Sequence, residues 1–108
     1  MGNDKNKRKT DRLYSIKPTQ IQLKGNVYTL NDISTEGLGV IVDDPHTFFS
    51  GQSFDAIPVK LSDNTVFLKG IVTHITKNER NYVCGIRFLL AGIEEYKLVT
   101  RFKKERAL

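Results

Sequence analysis

The stretch that decides the fold is VYTLNDISTEGLGVIV, residues 27–42. Two apolar runs of strand length flank the short segment DISTEG, residues 32–37. Leu38, Val40 and Val42 alternate with other residues, which is the period of a strand that buries one face. The stretch therefore predicts two antiparallel strands joined by a tight turn. The stretch also raises the question of why the first strand ends in an acidic residue, Asp32, and a hydroxyl, Ser34.

The run before this stretch predicts a hairpin. Apolar and polar residues alternate through residues 20–24, and Gly25-Asn26 follows as a pair typical of turns. With Gly25 and Asn26 as the two turn residues, the residue numbers of each cross-strand pair sum to 51, which pairs Asp32 with Thr19. This register would bring the N-terminal segment of the chain beside DISTEG.

Three more strand-length runs follow, and turn residues bound each of them. They are SFDAIPVKL, TVFLKGIVTHI and YVCGIRFLL, residues 53–61, 65–75 and 82–90. Pro58 lies within the first, which predicts an edge position or an interruption, because proline cannot donate to a strand ladder. The chain thus contains about six short antiparallel strands without the alternation of strands and helices that parallel sheets need.

The last segment has the period of a helix. Ile93, Tyr96, Val99 and Phe102 recur every three residues, with charged residues between them. Glutamates lie in the first turn and basic residues towards the end, as the helix dipole favours. The predicted fold is all-β with a C-terminal helix, in which a small six-stranded antiparallel barrel carries the helix and closes its own edges.

Length and composition suit one domain. With 108 residues and 39% hydrophobic content, the chain can form a single small core. Residues 1–14 are polar, charged and without periodicity, which predicts a flexible N-terminal tail ahead of a barrel and helix over residues 15–108. No apolar run has the length of a membrane span and the charged start lacks the apolar part of a signal peptide, so we expect a cytoplasmic protein. The single cysteine, Cys84, is expected to be a core residue.

The net charge of +5 is concentrated at the two ends of the chain. Residues 1–12 carry +3 and residues 97–108 carry +4, so residues 13–96 carry −2. A slightly acidic body does not match the basic, aromatic-lined sheet that nucleic acid requires. We therefore expect neither nucleic acid nor a membrane as partner.

Catalytic and metal-binding patterns are not evident in the sequence. It has no serine or cysteine nucleophile pattern and no phosphate-binding GxxxxGK[ST] loop, which argues against an enzyme. His46, His74 and Cys84 are spaced too widely for a recognisable metal motif. We expect no catalytic residues, no metal and no cofactor.

Two motifs give the chain a resemblance to a family. Arg8-Lys9-Thr10-Asp11-Arg12 and, after 19 intervening residues, DISTEG resemble the RxxxR and (D/N)xSxxG motifs of PilZ domains, bacterial receptors for cyclic di-GMP. GLGV at residues 37–40, Gly51 ahead of the fourth strand, and CGIRF at residues 84–88 are also similar to the family. The resemblance covers nearly the whole chain.

The resemblance implies a ligand site at Arg8, Arg12, Asp32, Ser34 and Gly37, with Lys7 and Lys9 as further candidates. Arginine's planar donors match phosphate oxygens and the O6/N7 edge of guanine. A carboxylate can accept from guanine N1 and N2, and a hydroxyl can donate to a phosphate or guanine acceptor. The glycine would let the backbone approach the ligand and would permit a positive φ.

Two functions follow from these observations. In the first, the protein binds cyclic di-GMP, orders its N-terminal tail over the barrel and so presents a surface to a partner protein. In the alternative, it is a small β-barrel module that binds protein or nucleic acid without a nucleotide. The pairing of RKTDR with DISTEG favours the first.

Overall fold

A computed structural model describes residues 19–90 and 92–106. Six strands are followed by one helix: β1 Gln20–Leu23, β2 Asn26–Ile33, β3 Gly37–Val42, β4 Ser53–Lys60, β5 Thr65–Lys77, β6 Tyr82–Phe88 and α1 Ile93–Arg106. The predicted tail, residues 1–14, lies outside the described residues, and so do Lys7, Arg8, Lys9 and Arg12.

The strands form one antiparallel sheet in the order β1-β2-β3-β6-β5-β4. The two outer strands, β1 and β4, lie against each other, so the sheet curls into a nearly closed barrel. The prediction of a six-stranded barrel with a C-terminal helix is therefore confirmed. Pro58 lies in β4, at one end of the hydrogen-bonded order, where a missing N–H is tolerated.

The predicted register of the first hairpin is wrong by two residues. Leu23 pairs with Asn26, so the turn residues are Lys24 and Gly25, both with positive φ, 52° and 84°. Positive φ at both central residues is the geometry that matches the twist of a two-residue hairpin. A shift of two residues keeps every side chain on its own face, so the alternation of apolar residues could not reveal the error.

The barrel interior is filled by the alternating apolar residues of all six strands. Leu38, Val40 and Val42 are buried, as the alternation predicts. Cys84 is also a core residue, and its burial raises the pKa of the thiol to about 11.

The helix α1 packs with only half of its predicted apolar stripe. Val99 and Phe102 are buried against the barrel, whereas the side chains of Ile93 and Tyr96 are 63% and 47% exposed. The end of α1 is fastened to the turn between β4 and β5, where Glu105 accepts hydrogen bonds from the amide and hydroxyl of Ser62. Only the second half of the apolar stripe is therefore buried.

Candidate functional site

The turn between β2 and β3 is closed by backbone bonds and by the Ser34 hydroxyl. Ser34 N donates to Gly37 O over 2.8 Å, and the Ser34 Oγ accepts from Glu36 N over 3.1 Å. Phe88 N donates to Glu36 O over 2.8 Å, which ties the turn to β6. Ser34 is buried, with 2% of its surface exposed. The hydroxyl therefore has a fixed position in a turn that cannot move independently of the sheet.

A β-bulge places Asp32 at this turn. Leu30 pairs with Val40, but the next pair is Asp32 with Gly39, so Asn31 is an extra residue in β2. Because of that extra residue, Leu30 and Ile33 are both buried, and Asp32 pairs with a residue of the outer face.

The bulge residue also orients the carboxylate. Asn31 Nδ2 donates to Asp32 Oδ2 over 2.7 Å. Asp32 is 5% exposed, which is rare for a carboxylate without a dedicated role or partner. A hydrogen-bonded, nearly buried carboxylate thus lies two residues from the Ser34 hydroxyl.

Gly37 is required by packing rather than by its backbone angle. Its φ is not positive, since the described glycines with positive φ are Gly25 and Gly51. A Cβ at Gly37 would instead collide with the main-chain oxygen of Ile86 on β6. The positive φ that a glycine would permit is not adopted here, and the need for glycine comes from the close approach of β3 to β6.

The structure brings together three of the predicted site residues, Asp32, Ser34 and Gly37, at one turn. It adds a shallow cleft of about 170 Å³ beside this turn that the sequence did not reveal. The cleft is lined by Glu36, Gly37, Thr73, His74, Ile86 and Arg87. The alternation in CGIRF indicates that Arg87 points outward, but only the pairing of Gly37 with Arg87 places it at the turn.

Neither a membrane span nor a metal cluster is found in the part of the chain that the structure describes. Within residues 19–90 and 92–106, no helix combines the length and the apolar character that crossing a bilayer requires. In the same ranges, no three His, Cys, Asp or Glu residues form a group that could hold a metal ion.

Solved structures with the same fold include two that contain a ligand. The chain is similar to the PilZ domain with c-di-GMP of YcgR from Escherichia coli, with a TM-score of 0.75 and 16% identity over 93% of this chain and 91% of that one. It is similar to YcgR in complex with c-di-GMP from Escherichia coli, with a TM-score of 0.66 and 17% identity over 91% of this chain.

A third similar structure is the inhibitor of motility MotI/DgrA of Bacillus subtilis, with a TM-score of 0.64 and 17% identity over 93% of this chain. The chain spans 50% of MotI/DgrA and 45% of the longer YcgR chain. No curated protein matches by sequence.

The fold and the β2–β3 turn define a small antiparallel barrel with a polar site at one turn. A family model described as the PilZ domain matches residues 6–104. The chain belongs to the PilZ domain family.

Proposed function

We propose that this protein is a receptor for cyclic di-GMP. The ligand would be held at the β2–β3 turn by Asp32, Ser34 and Gly37, with Arg8 and Arg12 from the N-terminal segment and with Lys7 and Lys9 as further contacts. The observation that carries the proposal is the nearly buried Asp32 carboxylate beside the fixed Ser34 hydroxyl in a chain of the PilZ family. Two structural neighbours with this fold hold c-di-GMP, which supports the same ligand here.

The chemistry of the ligand agrees with these side chains. Cyclic di-GMP offers two phosphates and two guanines, and each guanine has donors at N1 and N2 and acceptors at O6 and N7. Asp32 would accept from the donors, while Arg8 and Arg12 would bind phosphate oxygens or the O6/N7 edge. We expect the ligand to be bound and released without turnover, because the Asp32 carboxylate would be engaged by guanine donors rather than aligned with a phosphodiester.

The first test is ligand selectivity in solution. We expect cyclic di-GMP to bind, to raise the melting temperature and to be preferred over GTP and linear pGpG, because a ligand of the native state stabilises it. Isothermal titration calorimetry with each nucleotide, followed by chromatography of the recovered ligand, measures both affinity and turnover. An unchanged melting temperature and amide NMR spectrum at saturating cyclic di-GMP would leave the alternative, a barrel that binds protein or nucleic acid without nucleotide.

The proposed signal is an ordering of the N-terminal tail. Residues 1–14 contain too few apolar groups to pack on their own, whereas a ligand with two phosphates can bridge Arg8 and Arg12 to Asp32 and Ser34. Fixing about a dozen residues costs about 1 kcal/mol each, so we expect an affinity near micromolar that falls with salt.

The ordered tail and the ligand would form a new surface for a partner protein. The exposed side chains of Ile93 and Tyr96 on α1 support a protein contact near the end of the chain. One structural neighbour is an inhibitor of motility, in keeping with an effector that acts through a partner.

Hydrogen exchange tests the ordering directly. With cyclic di-GMP, we expect new protection in residues 5–14. We expect a smaller increase in residues 32–37, because hydrogen bonds already close this turn in the free protein. The comparison is the same protein without ligand, and peptides from β4 serve as an internal control that should not change. Protection of residues 5–14 that is already present without ligand, or is absent at saturation, would contradict tail ordering even where binding is confirmed.

A further inference from the structure

Four residues on four neighbouring strands form one row across the sheet. Asp32 of β2 pairs with Gly39 of β3, Gly39 pairs with Gly85 of β6, and Gly85 pairs with His74 of β5. Directly paired residues of antiparallel strands point to the same face. Asp32 and His74 thus stand at the two ends of a row whose middle consists of two glycines.

A second β-bulge puts His74 on this face. Val72 pairs with Ile86 and the next pair is His74 with Gly85, so Thr73 is an extra residue in β5. Val72 is therefore buried while His74 is on the outer face and exposed. Two independent bulges, one in β2 and one in β5, align the carboxylate and the imidazole.

The two glycines allow these side chains to lie against the sheet and approach each other. A Cβ at Gly39 would lie 2.8 Å from Asp32 Oδ2, and a Cβ at Gly85 would lie 2.5 Å from His74 Cε1. The carboxylate therefore covers Gly39 and the imidazole covers Gly85. Neighbouring strands are about 4.8 Å apart, so the Cα atoms of Asp32 and His74, three strands apart, are separated by about 14 Å. Because each side chain lies over the glycine next to it, the carboxylate and the imidazole are only about one strand spacing, about 4.8 Å, apart.

Thr73 holds the imidazole in place. Its hydroxyl donates to Gly85 O over 3.2 Å and lies 3.0 Å from His74 Nδ1. The Thr73 hydroxyl therefore links the His74 ring to the backbone of β6. The imidazole therefore lies against the backbone at Gly85 and contacts the Thr73 hydroxyl through Nδ1, while the residue remains exposed.

We propose that His74 contacts the ligand and that its imidazole is a stacking surface for one guanine of cyclic di-GMP. This inference rests on the proposed function, because it places the base beside the Asp32 carboxylate and the β2–β3 turn. Flat bases stack on exposed aromatic rings whatever their hydrogen-bonding edges, and a ring already held in one orientation loses little freedom when the base arrives. The neighbouring Arg87 lines the same cleft and complements the ligand's charge.

Replacement of the imidazole tests the contact. We expect His74→Ala to weaken the binding of cyclic di-GMP about tenfold, within the range that base stacking supports. His74→Phe keeps an aromatic face and should stay within about threefold of the wild type. The matched control is Thr76→Ala, two residues further along β5 and also exposed, which should bind as the wild type does. Calorimetric titration gives the affinities, and thermal unfolding shows that each variant is folded.

Gly85 offers a second, independent test. A methyl group at Gly85 would displace the imidazole, so Gly85→Ala should weaken binding in the wild-type background. In the His74→Ala background the space is empty, and the same substitution should then have almost no further effect. Equal losses in both backgrounds would mean that Gly85→Ala acts through β6 and not through the ring, which contradicts the proposal.

The outcomes separate the two proposals. If the wild-type protein does not bind cyclic di-GMP, the proposed function fails and this inference fails with it. If the wild type binds but His74→Ala binds equally well, only the stacking role is overturned. A loss in both His74→Ala and His74→Phe would also overturn it, since a stacking surface tolerates another aromatic ring.

Discussion

Alanine in place of Arg8 or Arg12 is expected to weaken the binding of cyclic di-GMP at least tenfold while the melting temperature of the free protein stays the same. Each guanidinium would make charge-assisted hydrogen bonds worth about 1.5–3 kcal/mol, and about 1.4 kcal/mol is a factor of ten in affinity. Stability should not respond, because residues 1–14 contribute few apolar groups to any core. Calorimetric titration and thermal unfolding of the same samples measure the two effects.

Two controls separate specific contacts from general charge. Lys5→Ala removes one positive charge from the same segment outside the RxxxR motif, and we expect less than a threefold loss. Arg8→Lys and Arg12→Lys keep the charge but lose the planar pair of donors, so their losses should fall between those of alanine and the wild type. Losses as large for Lys5→Ala as for the arginines would show that the tail attracts the ligand only by its net charge.

Gly37→Ala is expected to destabilise the fold by about 2 kcal/mol or more. The new Cβ would collide with the main-chain oxygen of Ile86, and neither strand can retreat without breaking the pairing of Gly37 with Arg87. For a domain of this size we expect a fall in the melting temperature of about 10 °C, measured by circular dichroism or calorimetry.

Gly92 provides the matched control for this substitution. A Cβ at Gly92 would meet no atom within 4 Å, and its φ is not positive. Gly92 is the N-cap of α1, where its carbonyl accepts from Tyr96 N. Gly92→Ala should therefore lower the stability only slightly, by the small preference for glycine over alanine at an N-cap, and far less than Gly37→Ala. If Gly37→Ala and Gly92→Ala have the same melting temperature, β3 and β6 can separate without a loss of stability. That result would contradict the packing role of Gly37.

The strands, the helix and the polar turn could be predicted from local patterns in the chain. Alternation locates β3, turn residues bound β4 to β6, and the three-residue period locates α1, because each of these signals is carried by neighbouring residues. Asp32 and Ser34 were placed correctly at the turn for the same reason. The RxxxR segment remains a prediction, since it lies outside the described residues.

Both bulges left a trace in the sequence that was not used. Leu30 and Ile33 in β2 are three positions apart, and so are Val72 and Ile75 in β5. Regular alternation would put the two members of each pair on opposite faces. Apolar residues at a spacing of three inside a strand therefore indicate an extra residue between them, and each such residue turns the next polar side chain outward.

The sequence by itself determined the class of fold and the position of the polar turn that contains Asp32 and Ser34, since local periodicity and turn chemistry carry these. Only the tertiary structure decided which residues lie across from one another. Strand register depends on turn geometry and bulges, and a shift of two residues preserves every buried face. Strand pairing alone therefore brings Gly37 against Ile86 and aligns Asp32 and His74 over Gly39 and Gly85. These residues are up to 49 positions apart and meet only when the sheet has formed.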